Sequence, residues 1–165
     1  MVSLIKASWD SQLPIYKIPQ NKLQRKGIKC LLLDVDGTIL NRNSTKIPDK
    51  VINWIKKSKR LFSLYLISNN PSEKRISMIG KSLGIKYKFK AFKPSKKITL
   101  EAINEINIDR KNIAIIGDRL LTDIFVGNKC KIYSILVKKI NREGKPVKFN
   151  LLLKFEKLIS FFIFK

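Results

Sequence analysis

An α/β fold, a parallel sheet with helices on both faces, is predicted by three features of this 165-residue sequence. Short apolar runs of strand length recur along the chain, and one of them, residues 28–34, is nearly uninterrupted, as in a strand covered on both faces. Segments of helical periodicity alternate with those runs, the order that builds a parallel sheet through crossover helices. The length is one domain's worth, and 44% apolar residues supply material for one core.

The elements follow in order. Residues 1–27, with Pro14 and Pro19, read as an irregular lead-in. Residues 28–34 (IKCLLLD) form the first strand. Residues 48–60 carry Val51, Ile52, Trp54 and Ile55 at helical spacing, with Pro48 near the start. Residues 61–67 (LFSLYLI) are a second strand, and 71–83 a second helix stopped by Gly84 at a C′ position. A short strand is expected over 88–92 and a helix over 94–106. Residues 112–117 (NIAIIG) then form a strand, 120–128 a helix and 131–137 (KIYSILV) a fifth strand. The expected organisation is a lead-in over 1–27, a catalytic domain over 28–140 and a basic, apolar helix within 141–165.

Composition excludes several chemistries. There is no histidine, which removes His-activated nucleophiles, His-ligated zinc and imidazole proton shuttles. Cys30 and Cys130 are too few for a disulfide scaffold or a four-cysteine metal site. Residues 1–12 lack the apolar run of a secretory signal, and no uncharged apolar stretch reaches membrane-spanning length. Thirty-five Lys+Arg against 12 Asp+Glu give a net charge of +23. Such a balance suits nucleic acid, an anionic lipid surface or a generally lysine-rich exterior, and composition does not separate them.

In open parallel sheets, ligands bind beyond the carboxyl ends of the strands. Those ends carry Asp34-Val35-Asp36-Gly37-Thr38, Ser68-Asn69-Asn70, Lys93-Pro94 and Gly117-Asp118, with Asp123 a little over a helical turn later. Several carboxylates in one crevice repel one another unless a cation neutralises them. A hard cation with oxygen ligands fits, and Mg²⁺ commonly combines one or two carboxylates with phosphate and water. Lys93 and Ser68 complement phosphate oxygens, so the set suits phosphoryl transfer. Ser68 also suits a helix-capping region and Thr38 a turn.

These residues resemble the haloacid dehalogenase (HAD) superfamily of aspartate-nucleophile phosphatases. Its signature elements stand in order: DVDGT at 34–38, Ser68, Lys93 and GDRLLTD at 117–123. The resemblance implies a Rossmannoid fold and Asp34 as nucleophile, with Asp36 as general acid and then base. It further implies Ser68 and Lys93 on the phosphoryl group, and Mg²⁺ held by Asp34, the Asp36 carbonyl and Asp118. Thr38, Asn69 and Asp123 are supporting residues. Only 30 residues separate Thr38 from Ser68, and 25 separate Ser68 from Lys93, room for one helix and one strand each and for no cap domain.

More narrowly, the chain is similar to the YqeG type of subclass IIIA, which includes phosphatidylglycerophosphate phosphatases. GIK at 27–29, ISNN at 67–70, KPSKK at 93–97, GDRLLTDIFVGNK at 117–129 and SILV at 134–137 carry that likeness. Gly37 departs from the Asn or Asp frequent there. The implied substrate is a phosphorylated lipid, with nucleic-acid ends or phosphoproteins as the alternative, and a non-catalytic basic binding protein as a second. Residues 148–165 read as a helix with Asn150, Lys154, Lys157 and Ser160 on one stripe and apolar residues around the rest. Such a helix either lies on anionic lipid or packs on its own domain. The expected location is cytoplasmic, peripheral on the inner face of the membrane. The sequence leaves the oligomeric state open.

Overall fold

The computed structural model describes residues 4–163, with side chains through residue 159. Six strands form one fully parallel sheet: β1 (Trp9–Asp10), β2 (Cys30–Leu33), β3 (Ser63–Ile67), β4 (Lys86–Lys88), β5 (Ile113–Gly117) and β6 (Tyr133–Leu136). Their spatial order is β1-β6-β5-β2-β3-β4. The helices are α1 (Gln20–Arg25), α2 (Asp49–Lys59), α3 (Glu73–Leu83), α4 (Lys97–Ile106), α5 (Phe125–Lys129) and α6 (Leu151–Ile163). The α/β class with a parallel sheet is therefore as the sequence predicts. Among the described residues, no helix is long and apolar enough to cross a membrane.

β2 and β5 are buried along their whole lengths, which explains their continuous apolar runs. One core lies on the face of α2 and α3, around Leu31, Leu33, Trp54 and Ile76. The other lies on the face of α4 and α5, around Leu32, Ile67, Ala102 and Ile115. β2 pairs with β3 on one side and β5 on the other, so chain order reverses there. That switch point opens a crevice beyond the carboxyl ends of β2 and β5.

Three local expectations are corrected. The segment before residue 28 is not irregular: β1 extends the sheet beside β6, and α1 follows a 3₁₀ turn at Ile15–Lys17. Ile15, Ile18 and Leu23 are buried, and the Trp54 indole donates to the Ile18 carbonyl at 2.9 Å. The strand expected over 88–92 lies earlier, at β4, because Lys90 and Phe92 take left-handed backbone angles (φ 45° and 51°) no strand accommodates. The helix expected over 120–128 opens with a π turn at Leu120–Ile124 before α5, a departure common at functional sites.

Candidate active site

Two strand ends place the central carboxylates. Asp34 follows β2 and Asp118 follows β5, and both are buried. The chain turns back after Asp34 through Gly37, at φ 101°. A β-carbon there would stand 2.7 Å from an Asp118 carboxylate oxygen, so glycine is required for shape as well as conformation. The Thr38 hydroxyl lies 3.1 Å from Asp34 Oδ2 and 3.3 Å from Asp118 Oδ1, so its one proton is shared between the two ends.

Asp123 completes the group from the π turn. Its carboxylate accepts from the Arg119 amide at 3.2 Å, which turns the side chain back toward β5. Carboxylate oxygens of Asp34, Asp118 and Asp123 lie within 4.8 Å of one another. Lys93 enters from the loop after β4, its ammonium 2.7 Å from Asp34 Oδ1, 2.6 Å from Asp123 Oδ1 and 2.9 Å from the Ile67 carbonyl. The lysine is 4% exposed, and its ammonium pairs with both carboxylates while it lines the cleft.

The Lys93 backbone is fixed as well. Asn69 Nδ2 donates to the Lys93 carbonyl at 2.9 Å, and the Lys93 amide donates to Asn69 Oδ1 at 2.7 Å. The same loop is tied to the end of β3 by Ala91 N–H to the Ser68 carbonyl and Lys90 N–H to the Asn70 carbonyl. Ser68 is buried, and its hydroxyl accepts from the Asn70 amide at 3.1 Å. Ser68 lines the cleft and does not cap the helix that follows, whose N-cap is Ser72.

The electrostatics follow from burial. Desolvation pushes Asp34 up to about 6; Lys93 opposes the shift and the Asp123 charge adds to it. Asp118 is raised well above its ordinary value by burial and by the charges of Asp34 and Asp123. Burial pulls the Lys93 ammonium down, but Asp123 and Asp34 outweigh it and hold its pKa above the usual lysine value. Three buried carboxylates against one ammonium is a donor set that fits a divalent hard cation.

The cleft above these groups encloses about 180 Å³ and is also lined by Asp36, Arg42, Asn70, Arg119, Lys139 and Leu152. α2 and β3 fill the chain between Thr38 and Ser68, and α3 and β4 that between Ser68 and Lys93. The structure thus brings together Asp34, Asp36, Ser68, Lys93 and Asp118, supported by Thr38, Asn69 and Asp123.

Sequence reasoning missed Asn70 and Arg75, which hold Asp36, and Glu156, which is buried against Arg119. ISNN and the helical segment after it were visible, but no local signal tied Arg75 to Asp36, 39 residues earlier.

α6 is docked by that glutamate. Glu156 accepts from Arg119 Nε and the Leu120 amide, both at 2.9 Å, while Leu153 packs with Leu120, Ile124 and Leu136. Asn150 caps the helix through the Leu153 amide at 3.2 Å and so does not belong to a surface stripe. Leu151, Phe155 and Leu158, one stripe at i, i+4 and i+7, are 70%, 60% and 55% exposed. The side chains of Ser160, Phe162 and Ile163 lie outside the described residues.

Known proteins are similar to this chain in sequence and in fold. The family model described as "Mitochondrial PGP phosphatase" matches residues 10–140. Over 137 residues the chain is 28% identical to the Bacillus subtilis (strain 168) protein named "Probable phosphatase YqeG", spanning 82% of this chain and 80% of that protein. Among solved structures, an uncharacterized Listeria monocytogenes serotype 4b protein superposes with a TM-score of 0.56 at 18% identity, covering 76% of this chain and 86% of that one. The cobalt-bound deoxy-D-mannose-octulosonate 8-phosphate phosphatase YrbI of Haemophilus influenzae gives 0.55 at 15% identity over 70% of each chain. At those identities the structures speak to the fold. The family match, the curated relative and the ordered signature residues meet on one conclusion: the chain belongs to the PGP phosphatase family and is a YqeG-type HAD phosphomonoester hydrolase.

Proposed function

We propose that this phosphatase is Mg²⁺-dependent, uses Asp34 as nucleophile and dephosphorylates phosphatidylglycerophosphate at an anionic membrane surface. The observation that carries the reading is the convergence of Asp34, Asp118 and Asp123 at the cleft, with Lys93 paired to Asp34 and Asp123. The Asp34 carboxylate forms a bond to phosphorus as the bond to the leaving oxygen breaks, giving an aspartyl-phosphate. Asp36 gives its proton to that leaving oxygen. It then takes a proton from the water whose oxygen displaces Asp34 and releases phosphate.

Lys93 and Thr38 fix the two Asp34 oxygens, so the nucleophile meets phosphorus in one orientation. Ser68 and Lys93 bind the transferring phosphoryl group, and Asn69 positions Lys93. The Asp34 and Asp118 carboxylates with the Asp36 carbonyl would hold Mg²⁺, with Asp123 in support. When bound, the ion supplies positive charge against the carboxylates and the phosphoryl oxygens.

The lipid assignment rests on the family's description and on surface chemistry. Leu152 of α6 lines the cleft, and the exposed Leu151, Phe155 and Leu158 stripe runs beside it with Lys154 on its flank. An apolar stripe edged by lysine on a chain of net charge +23 suits the interface of an anionic bilayer. The enzyme would work there as a peripheral protein on the cytoplasmic face. The test is phosphate release at equal Mg²⁺ from phosphatidylglycerophosphate vesicles, a 3′-phosphorylated oligonucleotide and a phosphopeptide. Preference for the vesicles is expected. Preference for either other substrate overturns the lipid assignment.

A further inference from the structure

The Asp36 carboxyl is gripped on both oxygens. Arg75 Nη2 donates to Oδ1 at 2.9 Å, and Asn70 Nδ2 donates to Oδ2 at 2.6 Å. Arg75 is itself fixed by main chain: Nη1 donates to the Ser44 carbonyl at 2.6 Å and Nη2 to the Asn41 carbonyl at 3.2 Å. Its backbone is set in the first turn of α3, where the Arg75 amide donates to the N-cap hydroxyl of Ser72. Asn70 is oriented from the same cap, its Oδ1 accepting from the Ser72 amide at 2.9 Å. Three segments thus converge on one carboxyl: the loop after β2, the loop after β3 and the start of α3.

Two features argue that this contact is more than a surface ion pair. The Arg75 Nε is buried without a hydrogen-bond partner. The side chain leaves one donor unsatisfied, a cost, to hold the geometry that reaches Asp36. The pair is also 18% and 16% exposed and stands at the cleft wall, where Asp36 faces Asp34, Ser68 and Lys93. One donor on each carboxyl oxygen fixes the plane of the group and still leaves a lone pair on each for proton transfer.

We propose that Arg75 is a positioning residue for the leaving-group step: it holds Asp36 where its proton reaches the departing oxygen. This rests on the role given to Asp36 above. A leaving alkoxide needs that proton as its bond to phosphorus breaks, whereas a nitrophenolate departs without one. The dependence on Arg75 therefore scales with how badly the leaving group needs protonation, which a purely structural arginine would not produce.

The experiment measures kcat/KM, which reports the step that expels the leaving group, for p-nitrophenyl phosphate and for glycerol 3-phosphate. Arg75→Met is expected to lose about 10-fold or more on glycerol 3-phosphate and less than about 2-fold on p-nitrophenyl phosphate. Arg75→Lys, which keeps the charge and is the milder change for folding, recovers part of the loss on the alkyl substrate. In an Asp36→Asn background Arg75→Met adds nothing further, because the group it positions is gone. Equal losses on both substrates, or losses that multiply with Asp36→Asn, overturn the proposal for Arg75 alone. Should Asp36→Asn itself depress both substrates equally, the role of Asp36 falls and Arg75's with it.

Discussion

The carboxylate of Asp123 occupies the space where a side chain on Gly117 would begin: a β-carbon on Gly117 would lie 2.3 Å from Asp123 Cγ. The last residue of β5 is thus bare so that an acid six positions on can fold back and pair with Lys93. Gly117→Ala is expected to displace Asp123, with destabilisation of about 2–4 kcal/mol and an activity loss of about 100-fold. Denaturant unfolding and steady-state kinetics measure the two effects. An alanine variant that is as stable and as active as wild type contradicts the packing account.

Lys93 donates to three oxygens around one nitrogen, a geometry for a compact ammonium and not for a planar guanidinium. Lys93→Met leaves Asp34 and Asp123 buried and uncompensated, and a loss of about 3–5 kcal/mol is expected. Lys93→Arg is expected to remain inactive although the charge is kept. Arginine restoring more than about a tenth of wild-type kcat/KM would show that charge alone suffices.

Much of this fold was legible in the chain. The buried runs before Asp34 and Asp118 read as strands because both faces of β2 and β5 are covered, and Gly84 ends α3 in the left-handed conformation expected of it (φ 61°). β1 was not legible, since two residues carry no periodicity. Its place is fixed by pairing with β6, some 126 residues away. In the site, the signature residues were readable because strand ends deliver them to one edge. Asn70, Arg75 and Glu156 act across loops and helices, through contacts that exist only once the chain has folded.

Proton binding couples the acidic cluster to stability. Without a divalent cation Asp34 titrates near 6 when folded and near its ordinary 3.8 when unfolded, and Asp118 is raised too. The folded state then binds more protons than the unfolded one, so this stability is full below about pH 4 and is lost as pH rises through about 6. For Asp34 the swing is on the order of 3 kcal/mol. Mg²⁺ is expected to raise the melting temperature by roughly 5 °C or more at pH 7.5 and by little at pH 4.5. Thermal unfolding with and without MgCl₂ at the two pH values checks this, and an equal shift at both contradicts it.

The exposed stripe of α6 makes a separate prediction. Leu151→Ser, Phe155→Ser and Leu158→Ser together remove three side chains worth about 1.5–3 kcal/mol each when fully buried. Partitioning onto anionic vesicles is expected to fall at least about 100-fold, while hydrolysis of soluble p-nitrophenyl phosphate stays within about 2-fold of wild type. Co-sedimentation measures the first and kinetics the second. Undiminished vesicle binding by the triple variant would move the lipid contact elsewhere on the molecule.

On the proposed function, Asp34 performs the chemistry on a lipid phosphomonoester. The most direct measurement is phosphate release from phosphatidylglycerophosphate vesicles in Mg²⁺, with wild type and Asp34→Asn side by side. Release by wild type and none above background by Asp34→Asn is the predicted result. Release by Asp34→Asn at the wild-type rate would contradict it.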